Sequence, residues 1–159
     1  VGRLMYIWNM AEKATQMGVR YAVVTNMVAS NLDADFTVTH NLVGGNPVPI
    51  NIFSSTVCET TNCNPNWGYN ANAFDNIVAR MDSFFPAIQD TNVEVQYDNV
   101  GLGFAGDPNS PDVSALVTVR LRNMTFRPWS MLGCPITLPS FSAALTMEDG
   151  SGTGPTASN

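Results

Sequence analysis

Along the first thirty positions, apolar and small residues recur at steps of three and four: Leu4, Ile7, Ala11, Ala14, Gly18, Tyr21, Val24 and Val28. This is the spacing of one helical face, and it predicts a helix running to about Val28 or Ser30, before Asn31 and Asp33. The middle of the stripe is small, at Ala11, Ala14 and Gly18, so a sheet or a second helix can approach closely. No cap or turn residue precedes Gly2, and the helix is expected to be the outer part of a longer rod that begins upstream. Arg3, Tyr6 and Trp8 crowd its start, a combination favoured where a helix leaves a bilayer.

The pattern then changes period. Phe36, Val38 and His40 alternate with Thr37 and Thr39, which predicts a short strand, ended by Gly44, Gly45, Asn46 and Pro47. Ile50, Ile52 and the stretch from Phe53 to Cys58 predict a further extended segment, followed by an Asn-rich loop from Asn62 to Asn70. Helical spacing returns at Phe74, Ile77, Val78, Met81 and Phe84, with Asn72 and Asp75 as expected caps and Pro86 as the stop.

Beyond Pro86 the period is two. Val93, Val95 and Tyr97 alternate with Glu94 and Gln96. Val113, Ala115, Val117, Val119 and Leu121 alternate with polar residues, as do Phe141, Ala143, Leu145 and Met147. One dry and one wet face belong to an antiparallel sheet covered by helices on a single side. The expected fold class is α+β, two helices on one face of an antiparallel sheet of three to five strands. Residues 1–149 form one domain, 1–30 the leading helix and 31–149 the head, and the apolar-poor stretch 150–159 is an expected flexible tail.

Composition narrows the partners. Thirteen acidic and seven basic side chains give a formal charge of −6, and the Lys and Arg residues do not cluster, so nucleic acid is not an expected partner. No apolar run reaches the eighteen or so residues that span a bilayer.

The chemistry-bearing residues are sparse. Cys58 and Cys63 frame CETTNC, and Cys134 stands apart. The expected disulfide is Cys58 with Cys63, worth about 2 kcal/mol for so short a loop; Cys134 with either of them is the competing pairing. A zinc site would need Cys58, Cys63, His40 and a fourth ligand, at unusual spacing. The oxygen-rich stretch from Asp107 to Asp112 offers calcium ligands without EF-hand spacing and suits a turn better. A catalytic triad would have to use His40, and no G-x-S-x-G elbow exists to expose a serine. Cys134, between Gly133 and Pro135, has no helix N-terminus to activate it. The chain is therefore not expected to be an enzyme or to hold a cofactor or metal.

One resemblance gives these pieces a context. The stretch GRLMYIWNMAEKATQMGVRYA resembles the segment that follows the membrane span in TadE-like minor pilins, or pseudopilins, of the bacterial tight-adherence (Flp) pilus. Gly2, Arg3, Leu4, Tyr6, Glu12, Ala14, Gly18, Arg20, Tyr21 and Ala22 occupy matching positions without a gap. The stretch ALVTVRLRNMTFRPWSMLGCPITLPSFSAALTMED is similar to that family's closing strands. The two segments cover a little over a third of the chain, and residues 31–110 carry no part of the likeness.

The resemblance implies a type IV pilin-like head, held in the periplasm by a helix rooted in the inner membrane or built into the extracellular pilus. The implied role is assembly, priming or tip formation, with the major Flp pilin, other minor pilins and the inner-membrane assembly platform as partners. Leu4, Ile7, Ala11, Ala14 and Gly18 would form the helix packing seam. Glu12 and Arg20, eight positions apart, cannot meet within one turn and are free to pair with a neighbouring subunit. The alternative is an adhesive head in which the loop around Trp67 and Tyr69, or the loop at Gly101, touches a surface or glycan.

Overall fold

The computed structural model describes residues 2–108, 110–127 and 135–147. Helix α1 (Gly2–Ala22) packs along a second helix, α3 (Ala71–Asp82), and over the strands β4 (Leu116–Leu121) and β7 (Phe141–Thr146). Strands β1 (Ser55–Cys58), β2 (Cys63–Asn64) and β3 (Val93–Asp98) complete a five-stranded sheet in the order β2-β1-β3-β4-β7. Every pairing is antiparallel. A separate ladder joins β5 (Thr125–Phe126) to β6 (Ile136–Thr137). The α+β class and the antiparallel five-stranded sheet agree with the periodicity.

Register gives the head two distinct ends. Leu121 pairs with Val93 on one side and Phe141 on the other, whereas Leu116 pairs with Asp98 and Thr146. Trp8 meets Phe141 edge to face at 5.1 Å, so α1 starts at the Leu121 end, here termed the base. It runs toward the Leu116 end, termed the tip.

The small stripe on α1 is what seats it. Ala11, Ala14 and Ala22 are completely buried. At Gly18 an added Cβ would lie 2.7 Å from the Met81 side chain of α3 and 3.4 Å from Val119 of β4. Against this stripe β4 presents Val117, Val119 and Leu121, and Val93, Val95 and Tyr97 of β3 are buried in the same core.

Several boundaries differ from those expected. Helix α1 ends at Ala22 rather than near Val28. Val23, Val24 and Thr25 are β-branched, Thr25 Oγ1 donates back to the Tyr21 carbonyl at 2.9 Å, and the N–H of Val28 is taken by Tyr97. Val24, which extends the helical spacing, is exposed. The N-cap of α3 is Asn70, whose Oδ1 accepts from Ala73 N at 3.1 Å, in place of Asn72 and Asp75. The extended segment begins at Ser55 because Ile52 and Phe53 turn back to the Pro49 carbonyl.

The expected strand from Asp35 to His40 is a single helical turn, α2 (Phe36–Thr39). Asp35 caps it, its Oδ1 accepting from Thr37 Oγ1 at 2.5 Å and from Thr37 N at 2.8 Å, and these two bonds, the hydroxyl's first, hold the Asp35 carboxyl below its ordinary range. Thr39 Oγ1 donates to the Asp35 carbonyl at 2.9 Å, and His40 stacks on Phe36 at 4.9 Å. In a strand those two rings would be two pleats apart.

On the sheet face away from the helices, Glu94 is buried despite its polar register position. Arg120 Nη1 donates to Glu94 Oε1 at 2.7 Å and Arg122 Nη1 to Oε2 at 2.6 Å, while Arg122 also pairs with Glu59. Four charges thus knit β3, β4 and the β1–β2 turn together. The alternation had marked the positions as wet but carried no sign of the cluster.

Candidate functional site

Two loops meet at the tip, residues 36–54 and 99–114. Asn99 Nδ2 donates to the carbonyls of Val48 and Phe53, both at 2.9 Å. Gly45 N donates to the Ala105 carbonyl at 2.9 Å and Ala105 N to Asn46 at 2.8 Å. The carboxylate of Asp112, almost fully buried, accepts from Phe36 N at 2.6 Å and from Asp107 N at 3.2 Å. Its first bond caps α2 from another segment. Gly103 has φ +93° and passes so close to Asp112 that an added Cβ would lie 2.5 Å from its carbonyl oxygen.

This frame leaves apolar side chains in water: Val38, Val43, Ile50, Val100, Leu102 and Phe104 are exposed. No Lys or Arg lies between Arg20 and Arg80 or between Arg80 and Arg120, so neither loop carries a Lys or Arg. Asp33, near α2, is raised by partial burial. The surface is apolar with an acidic margin.

The aromatic loop is largely turned inward. Trp67 packs edge to face on Phe53 at 5.0 Å and stacks near Phe36 and His40 at 6.1 and 6.0 Å. Tyr69 donates its hydroxyl to the Thr60 carbonyl at 2.6 Å and its pKa is raised by desolvation, then by Asp75 and Asp90. Both rings are only part-exposed and fix the loop to the core. The Gly101 loop presents the exposed apolar groups instead.

The expected helix seam is also internal. Ala11, Ala14 and Gly18 are buried against the chain's own sheet and α3, and Leu4 and Ile7 pack at the margin of the same core. The opposite face of α1 leaves Met5, Tyr6, Glu12, Lys13, Gln16 and Arg20 exposed.

Cys58 and Cys63 form a disulfide across the β1–β2 pair, so neither supplies a thiolate for zinc. His40 ends α2 and shares its Nδ1 with Thr39 Oγ1 at 2.9 Å. Ser110 Oγ donates to Asp107 Oδ2 at 2.6 Å, so the oxygen-rich loop bonds to itself; Asn109 lies outside the described residues, as do Cys134 and the 150–159 tail. Among the described residues no group of three or more His, Cys, Asp or Glu is placed to hold a metal ion.

The base holds a feature that sequence reasoning missed. A cavity of about 550 Å³ opens between the first turns of α1, the 85–92 segment and the region around β5 and Leu138. Arg3 and Arg127 both line it. Its residues come from widely separated segments, so no local pattern announces them.

None of the described helices is long and apolar enough to cross a membrane. Comparison with protein-family models, with curated proteins and with solved structures finds no match to this chain.

Proposed function

We propose that this domain is the head of a TadE-like minor pilin that acts in assembly, priming or tip formation of a tight-adherence pilus. In this reading α1 continues upstream into the inner membrane, and the head works in the periplasm or in the fibre. The carrying observation is how the residues that resemble the family divide on α1. Ala14, Gly18 and Ala22 are buried and seat the helix on its sheet, whereas Tyr6, Glu12 and Arg20 face outward. Glu12 and Arg20 make no ion pair among the described residues. Charges that do nothing for the head's own packing suit contacts with the major Flp pilin, other minor pilins or the assembly platform.

The test is genetic and structural together. Deleting the gene should abolish or shorten tight-adherence pili seen by electron microscopy. Glu12→Lys should do the same while the purified head keeps its circular dichroism and melting temperature. Normal pili in both strains would refute the proposal.

A second reading, an adhesive head, is favoured by the exposed apolar tip around Leu102 and Phe104. Replacing both with serine separates the two. Intact pili with lost attachment identify an adhesin, and lost pili identify an assembly surface.

A further inference from the structure

We infer that the outer edge of β7 takes up an extended, uncharged segment of a partner protein as an added strand, one whose side chains alternate between apolar and small polar. β7 is the last strand in the order β2-β1-β3-β4-β7. Its register with β4 runs unbroken from Phe141 opposite Leu121 to Thr146 opposite Leu116, and this register decides where each backbone group points. Met147 N donates to the Ala115 carbonyl at 2.9 Å, and in an antiparallel ladder the bonded pairs recur at every second residue. Phe141, Ala143 and Leu145 therefore bond to β4, and the N–H and C=O groups of Ser142, Ala144 and Thr146 point out from the edge. The other side of β4 keeps the same parity, since Arg122 N donates to the Asn92 carbonyl at 2.8 Å just beyond the β3 pairing. Among the described residues, Ser142, Ala144 and Thr146 make no hydrogen bond on the outer side, and all three are exposed.

This edge carries none of the usual guards. Folded proteins protect a sheet edge with a charge, a proline or a bulge, or keep it very short. The opposite edge, β2, is short, at Cys63–Asn64, and its cysteine is bridged to Cys58. β7 has six residues, all neutral, with neither proline nor glycine. Leu145 gives the edge an apolar attraction as well. It shares a face with Phe141 and Met147, which are 7% and 6% exposed, yet it is itself 40% exposed. A strand laid beside β7 sets an apolar side chain against Leu145 on one face and small polar ones against Ser142 and Thr146 on the other.

Charge and direction select the occupant. The chain carries a formal charge of −6, so two copies repel, whereas a neutral segment meets a neutral edge without that cost. Helix α1 starts beside Phe141 and runs toward the Thr146 end, in the direction of β7. Two copies joined antiparallel through β7 would therefore point their α1 helices in opposite directions. Helices rooted in one membrane point the same way, so the strand comes from another protein; this last step alone rests on the pilin reading above.

The experiment is amide hydrogen exchange of the 159-residue protein, alone and with a short blocked peptide that alternates valine and threonine. Alone, Ser142, Ala144 and Thr146 should exchange fast while Ala143 and Leu145 exchange slowly. Saturating peptide should slow the first three about tenfold or more. In an antiparallel pairing the threonine N–H groups of the peptide face β7, so N-methylating the threonines should abolish the effect and N-methylating the valines should preserve it. Ala144→Pro removes one outward N–H and leaves the bonds to β4 in place, so peptide binding should weaken about tenfold with the circular dichroism unchanged. Should that variant fail to fold, the methylated peptides decide alone. No slowing by the unmethylated peptide, or equal slowing by both methylated forms, overturns the proposal. So does slow exchange at all three residues in the protein alone: protection that grows with protein concentration identifies a second copy on the edge, and protection that does not identifies the chain's own residues. The peptide needs no membrane anchor, so its failure is distinct from failure of the pilin assignment, which pilus counts decide.

Discussion

The phenolic oxygen of Tyr97, at the centre of the sheet, accepts the backbone N–H of Val28 at 3.0 Å. Tyr97 is completely buried, and its ring carries the chain that leaves α1 across the top of β3. Tyr97→Phe keeps the ring but strands a buried N–H, which costs about 1–3 kcal/mol. Urea unfolding of the variant should show a lower midpoint with an unchanged slope. A midpoint equal to wild type would mean that water replaces the hydroxyl.

The same residue sets an alkaline limit. Burial pushes the Tyr97 phenol well above its ordinary value of 10.0, since the phenolate would lose its hydration. A group with a raised folded pKa contributes stability that is whole below the unfolded value and is lost as pH rises toward the folded one. Stability should therefore fall above about pH 10, by about 1.4 kcal/mol per pH unit from this residue. Tyr69 shifts in the same direction and adds to the slope. Tyr97→Phe should flatten it, and an unchanged slope between pH-dependent unfolding curves of the two proteins would refute the assignment.

Gly18 is a point of close approach between α1 and α3. Its missing Cβ would lie 2.7 Å from Cγ and Sδ of the buried Met81, so Gly18→Leu overpacks the seam and should cost about 1–3 kcal/mol or more. Met81→Ala removes the obstructing atoms and should itself cost about 2–5 kcal/mol through the cavity it leaves. Combined, the leucine fills that cavity, and the double variant should be more stable than the sum of the single losses predicts. Strict additivity in thermal unfolding would mean that the helices separate rather than interlock.

These residues also show why the sequence was legible in some places and not others. Where one face is buried against a regular partner, as at Ala11, Ala14, Val95, Val117 and Val119, the spacing of apolar residues follows the element's geometry, and helix and strands can be read directly. The Asp35–His40 stretch has the alternation of a strand, yet its conformation is decided locally by the Asp35 cap and remotely by Asp112. No periodicity encodes a bond between residues 76 positions apart. The same holds for the base cavity, whose walls meet only through tertiary packing. Trp67 and Tyr69 were visible as candidates because aromatic residues in an Asn-rich loop stand out, but composition could not tell a ring stacked on Phe53 from one facing water. The disulfide was readable because close cysteines leave few alternatives.

The Cys58–Cys63 bridge closes a loop so short that it gains little from chain entropy, about 2 kcal/mol. Its reduction should therefore lower the urea midpoint modestly without unfolding the head, because the strand beyond it, β3, is held by β4 as well as by β1. Peptide mapping of the oxidised protein should recover residues 58 and 63 in one linked fragment. A fragment linking Cys134 to either one would overturn the pairing.

Asp112 is the residue on which the tip depends most. Its two carboxylate oxygens accept from Phe36 N and Asp107 N, so one side chain ties the 36–54 loop to the 99–114 loop and caps α2 across that join. Asp112→Asn keeps the shape but removes the charge that strengthens both bonds and turns one acceptor into a donor facing an N–H. The expected cost is about 1.5–3 kcal/mol. The damage should be local, since Leu116 to Leu121 remain paired on both sides in the sheet. Hydrogen exchange should therefore quicken at Phe36, Gly45, Ala105 and Asp107 while Val95 and Val119 keep their protection. If the tip is the adhesive surface, attachment should fall in this variant with pili intact, because Leu102 and Phe104 would lose the frame that presents them. Uniform acceleration across both loops and sheet would instead show that the tip and the core unfold as one unit.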